Sequence, residues 1–360
     1  MFALQRILVC SFALTSGCSG GIIKDDLFDD VEDSGASVED SGERSDDGSG
    51  SSGDDGSTGD DGSTGDDGGT GDDGSTGDDG GTGDDGGTGD DGSTGGDDGG
   101  DSGTTPVAID TRNPGSVTYT STSDSVSVDG DCTMDLTILT PNVSPVGTVI
   151  LSHGFIRSGA TVIGWGEHFA SHGFHVVVPE LCHLSFSDTD HEANGEELAG
   201  LVDAMGLGRV AYAGHSAGGL ASAVALSQDA SAVGGVGFDP VDADSLGAGS
   251  GSSATFHGLF AESSMCNSAN NGVDMVSGTA LAVSEAGHCD FESPKDRLCD
   301  FACGESNPNF SDDDLQETIR ALATAALFGF YGDSTTADAW WTSGGEYYEP
   351  LRDSGAISPM

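Results

Sequence analysis

An α/β fold, with a mostly parallel central sheet and helices on both faces, is the fold class that the sequence predicts for residues 106–360. Short apolar runs of strand length alternate there with longer amphipathic stretches of helix length, which is typical of strands joined by crossover helices. A Gly-rich turn also lies directly between one predicted strand and the next predicted helix. A segment of about 250 residues commonly forms one such domain around a single core, so we expect one folded domain.

The predicted elements follow one another along residues 106–360. Two runs that alternate polar and apolar residues predict antiparallel strands with one solvated face, at Ser116–Thr120 and Thr133–Leu139. Later apolar runs predict buried strands at Thr148–Ser152, Phe174–Val178, Arg209–Ala213, Val233–Phe238, Thr255–Ala261 and Ala280–Ser284. Helices are predicted at Val162–Ser171, Ala193–Met205, Ala217–Ser227 and Asp312–Tyr331. Ser311 and the three Asp residues after it should cap the last helix, because they satisfy the exposed amides.

Residues 1–18 are typical of an export signal. Arg6 supplies the positive start, an apolar stretch runs from Ile7 to Leu14, and small residues follow. The stretch is too short to span a bilayer. Leu14–Cys18 resembles a bacterial lipobox, with the Leu one place early, so we expect lipidation at Cys18. A plain secretory signal is the alternative.

Residues 19–105 are predicted to be a disordered acidic linker. They hold 28 acidic side chains against Lys24 and Arg44 and almost no apolar residue after Val38, so they cannot offset the entropy cost of ordering. A six-residue unit of Gly, Asp, Ser and Thr recurs from about Gly53 to Gly99. The unit lacks the ligand pattern and closing Glu of an EF-hand, so we expect an extended spacer rather than a calcium site.

The composition disfavours nucleic acid as a partner. The 360 residues include 62 Asp or Glu and 10 Lys or Arg, which gives a net charge of −52. Such a surface repels phosphate backbones. We also expect a monomer that contacts the membrane only through an N-terminal lipid. The signal at residues 1–18 predicts that it is exported, and either anchored to a bacterial cell envelope or secreted.

Six cysteines follow the predicted signal, at Cys132, Cys182, Cys266, Cys289, Cys299 and Cys303. An even number in an exported chain predicts up to three disulfides, and the sequence leaves their pairing open. The spacing of Cys299 and Cys303 also suits a pair of zinc ligands. Because an oxidising compartment favours disulfides, we expect no metal, and the chemistry below needs no organic cofactor.

The strongest chemical signal is Gly214-His215-Ser216-Ala217-Gly218-Gly219, between a predicted strand and a predicted helix. This is the position of the nucleophile elbow of an α/β-hydrolase, where a strained turn holds the serine and small residues flank it. The segment predicts an α/β-hydrolase fold with Ser216 as the nucleophile. The N–H groups of Ala217 and Phe155, the latter after an earlier strand, are predicted to form the oxyanion hole.

A histidine and an acid must complete the triad, because a serine hydroxyl needs a base and the base needs an orienting carboxylate. His288 follows the last apolar run, which matches the chain order of serine, acid and histidine in this fold. Asp239 follows the strand after the elbow helix, Glu262 follows the next strand, and Asp242 is a third candidate. The residues alone leave the acid open.

These residues resemble the chlorophyllase family and its relatives, the platelet-activating-factor acetylhydrolases and the cutin- and polyester-cleaving hydrolases. The likeness spans roughly Val146 to Tyr331. Besides the elbow, the matching pieces are Leu151-Ser152-His153-Gly154-Phe155, Ala170–Pro179, Asp239-Pro240-Val241-Asp242, Gly287-His288 and the pair Cys299 and Cys303. The chlorophyllase acid opens a similar Asp-Pro-Val segment, so the resemblance favours Asp239. Ala217 stands where the plant enzymes carry Arg. The resemblance therefore implies hydrolysis of an ester, but it does not imply one particular substrate.

The function expected from these features is hydrolysis of a carboxylic ester through an acyl-enzyme on Ser216. Small-molecule, lipid or polyester esters are the expected substrates. One alternative is an inactive surface binding module that keeps the same fold. Another is an acyltransferase or peptidase that uses the same triad.

Overall fold

A computed structural model describes residues 106–128, 130–303 and 309–360. Three predictions lie outside the described residues: the signal at 1–18, the linker at 19–105 and the lipidation site Cys18. The described residues all lie within the predicted folded domain, residues 106–360.

A nine-stranded mixed sheet forms the centre of the described region. The strands are β1 (Tyr119–Ser127), β2 (Thr133–Pro141), β3 (Thr148–Ser152), β4 (His175–Pro179), β5 (Leu184–Ser185), β6 (Asp188–Thr189), β7 (Val210–His215), β8 (Gly234–Phe238), β9 (Phe256–Phe260), β10 (Ala280–Val283) and β11 (Ile357–Pro359). The sheet has the order β1-β2-β4-β3-β7-β8-β9-β10-β11, and β5 pairs with β6 in a separate hairpin. Pairing is parallel from β4 to β10 and antiparallel at both edges. The prediction of a mostly parallel sheet is confirmed.

Helices cover both faces of this sheet. They are α1 (Ile163–Ser171), α2 (His191–Met205), α3 (Ala217–Gln228), α4 (Leu246–Ser250), α5 (Arg297–Cys303), α6 (Asp312–Phe330), α7 (Ser334–Trp341) and α8 (Tyr348–Asp353), with 3₁₀ turns at Gly159–Thr161, Asn271–Met275 and His288–Phe291. Alternate residues of β3 point to opposite faces: Leu151 lies in one core with residues of α1 and α6, and Ile150 in the other with residues of α2 and α3. In the described part of the chain, no helix has the length and apolar composition needed to cross a membrane.

The first strand differs from its prediction. Ser116–Thr120 was expected, whereas β1 begins at Tyr119 and continues to Ser127. Most of β1 is exposed, so its sequence lacks the alternation that marks a half-buried strand. Backbone pairing with β2 along its whole length holds it in place instead. Val117, which was expected in the strand, donates its N–H to the Ser171 carbonyl at the end of α1.

The C-terminal end also differs from its prediction. Ala280–Ser284 was expected to be the last strand, but β11 adds an antiparallel edge strand beside β10. The predicted closing helix, α6, is followed by α7 and α8. Its predicted cap is confirmed, because Ser311 Oγ accepts the Asp314 N–H at 3.2 Å. Elements as short as β11 leave too few residues for a period to be visible.

Three disulfides connect the six cysteines of the described region, which confirms the prediction of disulfide bonds. They are Cys132–Cys182, Cys266–Cys303 and Cys289–Cys299. Cys299 and Cys303, the expected alternative zinc ligands, are each bonded to a different cysteine, so neither offers a thiolate to a metal. Disulfides persist in oxidising environments, which fits an exported protein. The cysteines of the predicted signal are outside the described residues.

Candidate active site

Ser216 occupies a sharp turn between the end of β7 and the start of α3. Its backbone has φ 56° and ψ −122°, a conformation that costs about 1–3 kcal/mol for a non-glycine residue. A Cβ on Gly214 would lie 2.2 Å from the Gly218 carbonyl oxygen, and a Cβ on Gly218 would lie 2.4 Å from the His153 oxygen. These contacts explain why the turn needs glycine on both sides of Ser216. The serine is held in a strained conformation at the carboxyl end of a central strand.

His288 and Asp239 contact each other beside this turn. His288 opens the 3₁₀ turn that follows β10, and its Nδ1 lies 2.5 Å from Asp239 Oδ2. Asp239 directly follows β8, and it is completely buried. Its Oδ1 accepts the Ala261 N–H at 2.9 Å, and the Asn267 side-chain amide lies 3.1 Å from its Oδ2. The buried carboxylate is therefore satisfied by three donors in fixed directions, as a buried charge requires.

Of the three candidate acids, Asp239 is the one in contact with His288 in the described structure. Glu262 is exposed, and its Oε1 accepts the N–H of Glu285 at 3.1 Å. Asp242 uses both carboxylate oxygens to accept N–H groups at the start of α4, from Gly247 at 3.0 Å and Ala248 at 3.2 Å. These contacts give Glu262 and Asp242 roles in loop structure.

His215 connects the serine turn to the histidine turn. It directly precedes Ser216, and its Nε2 donates to the carbonyl oxygen of His288 at 3.0 Å. The two imidazole rings lie 4.6 Å apart between centroids. Because β7, β8 and β10 are parallel, their carboxyl ends lie at the same end of the sheet. The structure therefore places the Ser216 turn, Asp239 and the His288 turn there, and the ring next to Ser216 in the chain, His215, lies 4.6 Å from the His288 ring.

The loop after β3 lies against Ser216. A Cβ on Gly154 would be 3.2 Å from Ser216 Cβ, which places the next residue, Phe155, beside the turn. Ala217 is the first residue of α3, where N–H groups have no partner within the helix and the helix dipole favours negative charge. Of the two residues predicted for the oxyanion hole, Ala217 follows Ser216 in the chain, and Phe155 follows the glycine that lies against Ser216. The Phe155 ring contacts Phe186 edge to face, with 5.6 Å between centroids.

His153, one residue earlier in this loop, supports the backbone. Its Nε2 accepts the Leu181 N–H at 3.1 Å, so its Nδ1 carries the proton that is donated to the Gly154 oxygen at 2.9 Å. Burial lowers the pKa of His153, against the opposing effect of that hydrogen bond and of Glu180. The ring is thus neutral and links the loops that follow β3 and β4.

Sequence reasoning missed several residues around the site. Asn267 holds Asp239 in place, but its loop contains Ser268, Ala269 and Asn270 at positive φ and carries no recognisable motif. Arg157 forms an ion pair with the buried Glu292 beneath the site. The scarcity of basic residues in this acidic chain was a signal that could have drawn attention to Arg157.

No family model matches this chain, and no curated protein matches it. Function is therefore inferred from the chemistry and geometry of the residues above.

Proposed function

We propose that this protein is a serine carboxylic-ester hydrolase of the α/β-hydrolase fold, in which Ser216, His288 and Asp239 form the catalytic triad. The contact between His288 Nδ1 and Asp239 Oδ2 carries the proposal, because a buried carboxylate on one imidazole nitrogen leaves the other nitrogen to act as a base. Ser216, in the strained turn, is the hydroxyl that this base serves.

The order of the strands supports the fold assignment. The serine turn follows β7, a central strand with parallel neighbours on both sides, and it leads directly into α3. The acid and the histidine come from later strand ends, in the chain order serine, acid, histidine of this fold.

The reaction follows from these positions. His288 takes the proton of Ser216 as its Oγ attacks the ester carbonyl, and Asp239 stabilises the imidazolium that forms. The Phe155 and Ala217 amides stabilise the oxyanion. His288 then protonates the leaving alcohol. Water, activated by the same imidazole, releases the acid and regenerates Ser216.

We propose esters with an apolar acyl or alcohol part as the substrate class. Ile156 and Phe186 are both solvent-exposed, and Phe186 packs on Phe155 in the loop beside Ser216. An exposed apolar rim at a reactive site favours apolar ligands. Small-molecule, lipid and polyester esters all meet this description.

We propose an exported location for the enzyme, either lipid-anchored through Cys18 to a bacterial envelope or secreted. The three disulfides support export. The acidity of the chain argues against nucleic acid as a partner.

The full chain should hydrolyse p-nitrophenyl butyrate with saturation kinetics and a kcat on the order of 1–10³ s⁻¹. A pre-steady-state burst of about one p-nitrophenol per chain would accompany it if deacylation is slow. The matched p-nitroanilide, an amide with a poorer leaving group, should react far more slowly. Release of p-nitrophenol at the rate of the enzyme-free buffer would contradict the proposed function, and faster hydrolysis of the anilide would indicate a peptidase.

A further inference from the structure

We infer that Arg157, His215 and Glu292 form a positioning cluster, a role that no motif in the sequence assigns to them. The cluster holds three segments in register: the loop after β3 (the oxyanion loop), the turn of Ser216 (the serine turn) and the turn that begins at His288 (the histidine loop). The inference rests on the proposed function. It concerns residues beside the triad that do not themselves contact the reacting atoms.

The ion pair of Arg157 and Glu292 joins two of these loops. Arg157 Nε and an outer guanidinium nitrogen lie 2.7 Å and 2.8 Å from the two oxygens of Glu292, a two-point contact. Glu292 is completely buried, and it ends the turn that begins at His288. Arg157 lies in the loop after β3, and its N–H donates to the Gly154 oxygen at 3.2 Å. The pair therefore fixes the oxyanion loop to the histidine loop.

His215 adds the third loop. Its Nε2 donates to the His288 oxygen, so its Nδ1 is an acceptor. This Nδ1 is buried, has no hydrogen-bond partner among the described residues, and lies 4.0 Å from Glu292 Oε1. The same atom would be 3.2 Å from a Cβ on Gly154. The imidazole thus fills the space between the serine turn, the oxyanion loop and Glu292.

Fold stability alone does not account for a charged pair here. Burying two charges costs several kcal/mol each, and apolar residues of similar volume commonly stabilise a fold as well or better. Burial raises the pKa of Glu292, and Arg157 opposes that shift. The His288 ring, which becomes positive during the reaction, is among the charges that act on this carboxylate. A planar guanidinium that donates two hydrogen bonds to one carboxylate fixes the orientation of the two side chains, which packing by apolar side chains does not.

A fixed register matters because the oxyanion donors must meet the reacting carbonyl in the transition state. A displacement of about 1 Å in such groups can lower the rate about 100-fold. Loss of an interaction that acts only in the transition state lowers kcat and leaves KM nearly unchanged. The positioning cluster therefore predicts a specific kinetic signature.

The test compares Glu292→Gln with Asp296→Asn, its matched control, in the full chain with p-nitrophenyl butyrate. Glutamine keeps the shape of Glu292 and one acceptor, but it removes the charge and the symmetrical two-point contact. Asp296 contacts the same guanidinium at 2.6 Å from a position where 40% of its side chain is exposed, so solvent compensates for its lost charge. We expect E292Q to lower kcat by about 10- to 100-fold with KM changed by less than about 2-fold, and D296N to stay within about 2-fold of wild type in both.

Each other result is decisive. The positioning role would be overturned if folded E292Q kept the wild-type kcat, or if E292Q and D296N lost kcat equally. In either case, ester turnover by the wild-type chain would leave the proposed function standing. A wild-type chain without ester turnover would overturn the proposed function and this inference with it. If E292Q fails to fold by circular dichroism, Arg157→Lys decides, since lysine keeps the charge but not the two-point contact. It should lower kcat at constant KM, and an unchanged kcat would refute the inference.

Discussion

Replacing Ser216 with alanine is expected to lower kcat for p-nitrophenyl butyrate by about 10⁵-fold or more, because it removes the hydroxyl on which the proposed acyl-enzyme forms. The fold should be unaffected. The hydrogen bonds of the turn are made by the backbone of Ser216, whose N–H donates to Phe238 and whose oxygen accepts from Gly219 and Val241. Alanine keeps the Cβ, so the strain at positive φ is the same. Steady-state kinetics and a thermal unfolding curve measure the two effects.

Ser222→Ala is the matched control for this variant. Ser222 is also buried, on α3, and its Oγ has no hydrogen-bond partner in the part of the chain that the structure describes. Its loss should leave kcat and KM near wild type. If S216A kept more than about a hundredth of wild-type kcat, a loss of only about 2.7 kcal/mol of transition-state stabilisation, the nucleophile would be another residue.

Asp239→Asn is expected to lower kcat by about 10⁴-fold with little change in KM. The Ala261 N–H, 2.9 Å from Oδ1, and the Asn267 amide, which is also within 3.3 Å of Oδ1, favour the oxygen of the introduced asparagine at that position. Its amide nitrogen would then stand at the Oδ2 position and face His288. An N–H at that place makes Nδ1 an acceptor and puts the imidazole proton on Nε2. That tautomer cannot take a proton from Ser216. The loss should be visible in single-turnover kinetics as slow acylation.

Glu262→Gln and Asp242→Asn test the other candidate acids in the same assay. Glutamine at 262 keeps the acceptor for the Glu285 N–H on an exposed side chain, so we expect wild-type kinetics. Asparagine at 242 loses one of two acceptors that hold the start of α4, so we expect a loss of stability of about 1 kcal/mol and an intact kcat. A large fall of kcat in E262Q beside a modest one in D239N would reverse the assignment of the acid.

The elements that the sequence predicted best have both a clear period and a clear boundary. β7 and α3 are examples, because an apolar run ends at a Gly-rich turn that only a strand-to-helix junction explains. β1 was misplaced because an exposed edge strand is stabilised by backbone pairing, which leaves no apolar pattern. The short helices α4 and α5 span too few residues for a helical period to be recognised.

For the site, chain order predicted the candidates but not their contacts. Three carboxylates, Asp239, Glu262 and Asp242, are equally suitable as the acid when only their residue type is considered. Which of them contacts His288 depends on how three loops pack. The disulfides are similar: Cys266 precedes Asn267 and Cys289 follows His288, and both are bonded to cysteines of α5. Such long-range pairing, like that of Arg157 with Glu292, leaves no trace in local spacing.

Ser216 should react with a fluorophosphonate, because an activated serine hydroxyl attacks the phosphorus of such a reagent. Peptide mapping by mass spectrometry after treatment of the full chain should find one phosphonyl group per chain, on Ser216. The adduct should be absent from S216A and should form much more slowly in D239N. An unmodified wild-type chain, or an adduct on a different serine, would contradict the proposed triad.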